Sequence, residues 1–274
     1  MPRTLIRAIR SAADHDCFYL AQATAYSAIF AFFPALIVLA ALVHQIPDSW
    51  ALRLESSALF TQILPPNTLQ LLDGYFTAHG RHAHAHHPLL STVFVCLLGG
   101  AGVIATLMES FRRAYNRPKG FWGAWRRRLV AIFLVPLSLI PLAVVSALLI
   151  CGHIITLWLR SWLPSDLRTY IILLVIILRW AVAAAGSIGV LTLIYRFGSP
   201  VSHPIGRTVH GAVLATALWF PSTLAFGWYV TRFTDYSRVY GPLGAGIALL
   251  IWLNLIALCV ITGAEYNAQR HSAR

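Results

Sequence analysis

The sequence predicts an all-α fold, a polytopic membrane helix bundle with about six transmembrane helices. Hydrophobic residues make up 58% of the 274 residues and charged residues only 11%, and the mean hydropathy is +0.70. Soluble domains have about 45–50% apolar and about 25% charged residues. Apolar runs of about 20 residues, long enough to cross a bilayer, recur along the chain. These observations exclude a soluble globular domain, a disordered chain and a disulfide scaffold.

Six segments have the length and low charge of transmembrane helices, and together they define a membrane domain over residues 23–267. The third segment is long enough to tilt or to contain a kink at Pro136 or Pro141. The six predicted spans are residues 23–46, 89–108, 129–159, 170–195, 208–230 and 243–266.

The distribution of basic residues predicts the orientation, because cytoplasmic loops retain Lys and Arg. Of the 21 Lys and Arg residues, most fall on one side of the predicted membrane, and a group of them lies in the single loop 109–128. This side also contains both termini, including the short tail 268–274. The sequence therefore predicts a membrane protein with both termini cytoplasmic, and its net charge of +12 is mainly a topology signal.

Residues 1–22 are predicted to form an amphipathic helix on the cytoplasmic surface. Apolar residues alternate with Arg3, Arg7 and Arg10 at helical spacing. The next apolar run is long enough to span the membrane, so the segment is interpreted as retained and not as a cleaved signal.

The loop 109–128 is predicted to bind the headgroups of anionic lipids. Each basic residue near an anionic membrane surface contributes about 1 kcal/mol. The predicted partners are therefore anionic membrane lipids and not nucleic acid. The headgroup candidates are Arg126, Arg127, Arg128, Trp122 and Trp125.

Residues 47–88 form the longest predicted external segment. Two short helices around Pro65 and Pro66 are expected to make an external cap. Its end carries His82, His84 and His86, which are weak metal candidates. No acidic ligand follows them, so a His-rich polar loop is the favoured interpretation and metal binding the alternative.

Arg179 is the one basic residue that orientation does not explain. It lies about 14 Å into the fourth span, at a depth where a charge by default marks a functional site or an internal pair. Asn254 lies at a similar depth in the sixth span. The two side chains are predicted to line one polar cavity, and the alternative is a purely structural role for each.

Glu265 lies near the inner end of the sixth span. Its expected partners are Arg196, Arg112 or Arg113 at the cytoplasmic face. A salt bridge that locks the helix ends is one interpretation, and a gating carboxylate is the other.

Motifs of soluble enzymes are missing from the sequence. It contains no G-x-x-x-x-G-K-[ST] and no G-x-S-x-G, and its four cysteines are scattered singly. The sequence therefore predicts no enzyme and no cofactor.

Two stretches resemble the YihY/BrkB family. Residues 25–34 resemble the pattern A-Y-Y-x-x-x-S-x-F-P, and Tyr26 and Pro34 match it, whereas Ser27 and Ala31 depart from it. Residues 195–267 are similar to the C-terminal half of that family, including Y-G-P-L-G-A at 240–245 and G-A-E-Y-N at 263–267. The resemblance implies a bacterial inner-membrane protein of about six helices. The family once carried a ribonuclease BN label, which this sequence does not support, and its name carries a link to virulence.

The predicted function is transport or flipping of a lipid or another anionic amphiphilic envelope component. It rests on Arg179, on the basic aromatic loop, and on prolines expected to unwind the backbone near a cavity, with Tyr26 and Pro34 beside it. The alternative is a scaffold that contacts envelope-assembly proteins through the external cap. A membrane-tethered ribonuclease ranks last. The prolines in question are Pro34, Pro136, Pro141 and Pro221.

Overall fold

The structure, a computed structural model, describes most of the predicted membrane domain. All regular structure within the described residues is helical, which confirms the predicted all-α membrane bundle. Residues 45–85, which include most of the external cap, and residues 142–164, which include the rest of the third predicted span, lie outside them. The described residues are 7–8, 10–12, 14–44, 86–121, 123, 125–141, 165–201, 204–233 and 242–272.

Five long helices form the described bundle, and residues 125–141 are also helical. Each long helix extends a few residues past its predicted span at one or both ends, because hydropathy marks only the apolar part of a helix. Among the described residues, four apolar stretches are long enough to cross a membrane: Ser91–Ala114, Leu173–Gly198, Ile205–Val230 and Gly246–His271. The helices are α1 (Cys17–His44), α2 (His86–Ala114), α3 (Ser165–Gly198), α4 (Ile205–Phe233) and α5 (Pro242–Ser272).

Helix α5 lies at the centre of the packing. It contacts α4 and α1 extensively, α1 packs against α2, and α3 packs against α4. The most deeply buried large side chains cluster at one end of the bundle, where α1 and α4 begin and α2, α3 and α5 end. This is the end that the charge distribution predicts to be cytoplasmic, and it is called the inner end below. Its buried side chains include Cys17, Met108, Phe111, Tyr195, Thr208, Ile261 and Glu265.

A turn divides the predicted N-terminal segment 1–22. The described residues between 7 and 14 are helical, with Ala8 buried and Arg10 exposed, as expected for an amphipathic helix. The turn follows at His15 and Asp16, and Asp16 has a left-handed backbone with φ of 56°. Helix α1 then begins at Cys17, six residues before the start of the first predicted span.

The expectation that prolines unwind the backbone is wrong for the prolines in the described helices. Pro34 lies inside α1 and Pro221 inside α4, and the helical segment 125–141 runs through Pro136. A proline removes one hydrogen bond of the helical ladder, and the remaining bonds on either side keep these helices continuous.

Candidate functional site

A buried carboxylate connects the last helix to the N-terminal segment. Glu265 on α5 is 0% exposed. Ser11 Oγ donates a hydrogen bond to Glu265 Oε2 at 3.0 Å, and His15 Nδ1 lies 2.8 Å from Oε1. The thiol of Cys17, the first residue of α1, lies 3.7 Å from Oε1. Three neighbouring side chains thus satisfy a carboxylate that is costly to bury without partners.

The predicted partners of Glu265 need correction. Arg112 donates to both oxygens of Glu109 at 3.0 and 3.1 Å through Nε, and to the carbonyl of Arg117. Arg113 donates to Asp16 Oδ2 at 3.1 Å. Glu109 precedes the two arginines by three and four residues, so it meets them on one face of the same helix. The N-terminal segment, not these arginines, covers Glu265.

The same turn is therefore bound from two sides. His15 contacts α5 through Glu265, while Asp16 contacts Arg113 at the end of α2. Arg113 Nη1 also lies 3.5 Å from the carbonyl oxygen of His15. These contacts fix the start of α1 to the ends of α2 and α5.

Close backbone approach joins α4 to α5 beside this cluster. A Cβ atom on Gly263 would lie 2.5 Å from both the carbonyl oxygen of Gly211 and the hydroxyl of Tyr195, so only glycine fits there. Asn267 Oδ1 accepts a bond from the Gly211 amide at 2.8 Å, and its Nδ2 donates to the Thr208 carbonyl at 3.0 Å. Small residues and interhelical hydrogen bonds are typical of helix contacts in membranes.

Tyr195 connects a third helix to the same region. Its hydroxyl donates to the carbonyl of Val260 on α5 at 2.6 Å, and its ring meets Phe111 edge to face at 5.3 Å. Through Tyr195, α3 is held against both α5 and α2 at the inner end.

A large groove lies between the 125–141 helix and the end of α3. Its volume is about 640 Å³, within the range of about 300–1,000 Å³ that is usual for ligand sites. Arg126 and Arg196 line it together with a mainly apolar surface. The apolar lining includes Phe121, Leu129, Phe133, Leu134, Leu137 and Phe197.

Arg126 and the apolar residue Leu137 lie at opposite ends of the groove lining on the 125–141 helix. Arg126 and Leu137 lie on one helix eleven residues apart, which corresponds to about 16 Å. Arg196 belongs to the last turn of α3, at the same inner end as Arg126. The groove therefore has a cationic end and an apolar length, the complement of an anionic amphiphile.

The other lipid-headgroup candidates occupy different positions. Trp125 is largely exposed and Arg128 is exposed, as a headgroup contact requires. Arg127 Nη1 instead lies 3.8 Å from Glu109 Oε2, so this arginine belongs partly to the Glu109 ion-pair group. Trp122 lies outside the described residues.

The predicted Arg179 and Asn254 cavity stays a prediction. Arg179 is half-buried on α3, between the exposed side chains of Leu178 and Trp180. Asn254 is half-buried on α5, and its Oδ1 atom is buried with no hydrogen-bond partner among the described residues. An acceptor in that state is a position where a donor from a ligand or a water molecule fits.

The remaining predicted site residues also stay predictions. Tyr26 is mostly exposed and packs on Phe30 with ring centroids 4.8 Å apart, and Pro34 is half-buried inside α1. The weak metal candidates His82 and His84, and the side chain of His86, lie outside the described residues.

The sequence did not predict several of the residues that make contacts at the inner end. Ser11 and His15 lie in a segment interpreted only as an amphipathic surface helix, and their contacts with Glu265 span about 250 residues. Asn267 contributes to the sequence prediction only as part of the family pattern G-A-E-Y-N at 263–267. A signal was available for Asn267 and Gly263, because a small residue and an amide one turn apart are typical of a close helix contact.

A family profile described as Virulence factor BrkB matches residues 8–274, nearly the whole chain. The chain belongs to the BrkB family. It is thus a membrane protein of this family, and Glu265, Asn267 and Gly263 all lie within the matched region.

Three relatives of this BrkB-family chain are 25–28% identical to it. A ribonuclease-like protein named YfkH from Bacillus subtilis (strain 168) is 25% identical over 91% of this chain and 88% of its own length. A UPF0761 membrane protein from Chromohalobacter salexigens is 28% identical over 97% of this chain. This chain spans 62% of that relative and 79% of another UPF0761 membrane protein, from Tolumonas auensis, to which it is 25% identical. No solved structure matches this chain.

Proposed function

We propose that this BrkB-family membrane protein is a transporter or flippase for a lipid or another anionic amphiphile of the bacterial envelope. The observation that carries the proposal is the groove lined by Arg126, Arg196 and apolar side chains. An acyl chain fits the apolar length, and a phosphate or carboxylate headgroup fits the arginine end, since guanidinium groups bind such anions well.

The position of the groove also supports this function. Both arginines lie at the inner end, where the charge distribution predicts the cytoplasmic face and the anionic lipid surface. An amphiphile from the inner leaflet would enter headgroup first along the helix surfaces. Arg179 and Asn254 are proposed to receive the polar headgroup deeper in the membrane. A charged side chain at midplane is costly, so Arg179 by default marks a functional site.

The proposal includes an inner-membrane location with both termini cytoplasmic, anionic lipids as partners and no nucleic acid. It involves no catalytic step and no cofactor. The sequence carries no nucleotide-binding loop, so transport would be passive or driven by a gradient.

The test is lipid translocation in reconstituted vesicles. Purified full-length protein is placed in vesicles that contain phosphatidylglycerol with a fluorophore on its acyl chain, and outer-leaflet quenching by dithionite measures exchange between leaflets. The native chain is expected to accelerate exchange over protein-free vesicles. The double variant Arg126→Gln, Arg196→Gln is expected to be at least about tenfold slower, because charged hydrogen bonds are worth about 1.5–3 kcal/mol each.

The matched control is Arg232→Gln, which removes an exposed arginine in the last turn of α4 that does not line the groove. Equal exchange by the native chain and the double variant would rule out the groove as the path. No acceleration by the native chain would refute transport of this lipid class. Reproducible crosslinks from residues 47–85 to an envelope-assembly protein would then favour the scaffold alternative.

A further inference from the structure

A second, smaller pocket lies where α4 begins and α5 ends. Arg207 and His210 line it from α4, and Arg270 and His271 line it from α5. Its volume is about 40 Å³, and a single water molecule needs at least about 10–15 Å³. The space accommodates a few water molecules or one small tetrahedral anion.

The electrostatics of this pocket favour an anion. Two arginines contribute to its lining, and no carboxylate of the described part of the chain does. Arg207 is the third residue of α4, so the pocket also meets the positive end of that helix dipole. The one carboxylate of α5, Glu265, precedes Arg270 by five residues and already has Ser11 and His15 as hydrogen-bond partners.

Arg270 supplies the second observation that points to a ligand. Its Nη1 atom is buried and has no hydrogen-bond partner among the described residues. Its guanidinium lies over the Tyr266 ring, with Cζ 5.9 Å from the ring centre, which holds the group in place. Buried donors of this kind normally have an acceptor, and an oxyanion in the pocket supplies one.

The walls of the pocket are already fixed. Asn267 uses both ends of its amide to join α5 to Gly211 and Thr208 of α4. Tyr115 also lines the pocket, and burial raises the pKa of its hydroxyl to about 12. Ligand binding to a fixed pocket costs little free energy of reorganisation.

We propose that this pocket binds one phosphate group, held mainly by Arg207 and Arg270. The phosphate comes either from a lipid headgroup at the inner membrane surface or from a free phosphate ion. The site is lined by different residues from the Arg126 and Arg196 groove, and the proposal does not rest on the transport function.

The experiment measures the thermal stability of purified full-length protein in a neutral detergent at constant ionic strength. One series adds inorganic phosphate in place of chloride. A second adds dioctanoyl phosphatidic acid, with dioctanoylglycerol as the matched lipid without phosphate. The native chain is expected to gain stability from at least one phosphate compound and to gain less from chloride or from dioctanoylglycerol.

The variants Arg270→Gln and Arg207→Gln are expected to need at least about tenfold more phosphate compound for the same shift in Tm. Arg207 is exposed, so its variant tests the site even if Arg270→Gln folds poorly. Arg232→Gln, with the same loss of charge at the opposite end of α4, is expected to respond like the native chain.

Stronger binding of phosphatidic acid than of inorganic phosphate identifies a lipid headgroup as the source. Equal or stronger binding of inorganic phosphate identifies the free ion. The proposal is wrong if neither compound stabilises the native chain, or if Arg232→Gln loses the response to the same extent as the two pocket variants.

Discussion

The inner end of the bundle and the outer half of α3 present opposite kinds of surface. At the inner end, Glu265, Tyr195 and Phe111 are at most 1% exposed. Glu265 accepts a hydrogen bond from Ser11, Tyr195 donates one to the Val260 carbonyl, and the rings of Tyr195 and Phe111 are in contact. Along the outer half of α3, Leu174 and Ile177 are about two-thirds exposed. Lipid solvates such apolar side chains as well as a protein interior does, so packing specificity in a membrane depends on close contacts and polar groups.

The largest effect is expected from Glu265→Ala, which tests whether the inner end depends on its polar contacts. The variant leaves Ser11 and His15 without their acceptor and creates a cavity, at a cost of about 3 kcal/mol. A fall in Tm of roughly 6–12 °C is expected in detergent. Cys17, only 1% exposed in the native chain, should also become reactive toward a maleimide.

The thiol measurement uses a chain in which Cys17 is the only cysteine. Asp16→Asn is the matched control, because Asp16 is 71% exposed and its contact with Arg113 resembles a surface ion pair. Unchanged protection of Cys17 in Glu265→Ala would show that the buried carboxylate does not hold the N-terminal segment.

A somewhat smaller loss is expected from Gly263→Ala. The added methyl group overlaps the Gly211 carbonyl oxygen and the Tyr195 hydroxyl, so α4 and α5 must separate. Overpacking of this kind costs about 1–3 kcal/mol, which corresponds to a Tm lower by roughly 3–10 °C. Circular dichroism during heating in detergent measures the Tm.

Gly246→Ala is the matched control on the same helix, since nothing among the described residues lies within 4 Å of the added atom. Alanine is the better helix former, so this variant should be as stable as the native chain or slightly more stable. Equal Tm values for the two variants would show that the α4 and α5 contact is looser than the structure describes.

The smallest effect is expected from Leu224→Ala on the outward surface of α4. Leu224 is 73% exposed, so truncation removes few protein contacts. The Tm should change by less than about 2 °C, because surface substitutions usually alter stability by no more than about 0.5 kcal/mol. A loss comparable to that of Gly263→Ala would mean that this surface packs against protein and not lipid.

The membrane class of the fold was predictable from the sequence because hydrophobic length is a local property. Each of α3, α4 and α5 overlaps its predicted span, since about 20 apolar residues need no tertiary information to be recognised. The predicted start of α1, at residue 23, was less accurate than the predicted spans of the other three helices. Helix formation continues from the apolar run back to Cys17, where a left-handed Asp16 stops it.

The partners of Glu265 were not predictable in this way. Charge and depth alone suggested Arg196, Arg112 or Arg113. Glu109 lies three and four residues before Arg112 and Arg113 and binds them locally. The contact between Glu265 and His15 joins residues 250 positions apart, so no sequence window contains both. The arginines of the groove were predicted individually, whereas their meeting across two helices is a tertiary property.

The His15 contact also has a consequence for biosynthesis. His15 is synthesised 250 residues before Glu265. At about 5–20 residues per second, roughly 13–50 s pass before its partner exists. During that interval the start of α1 lacks the carboxylate that its polar groups bind in the finished protein. Insertion of α5 therefore completes the inner end, and a chain truncated before Glu265 should expose Cys17 to proteins that recognise unfinished membrane chains.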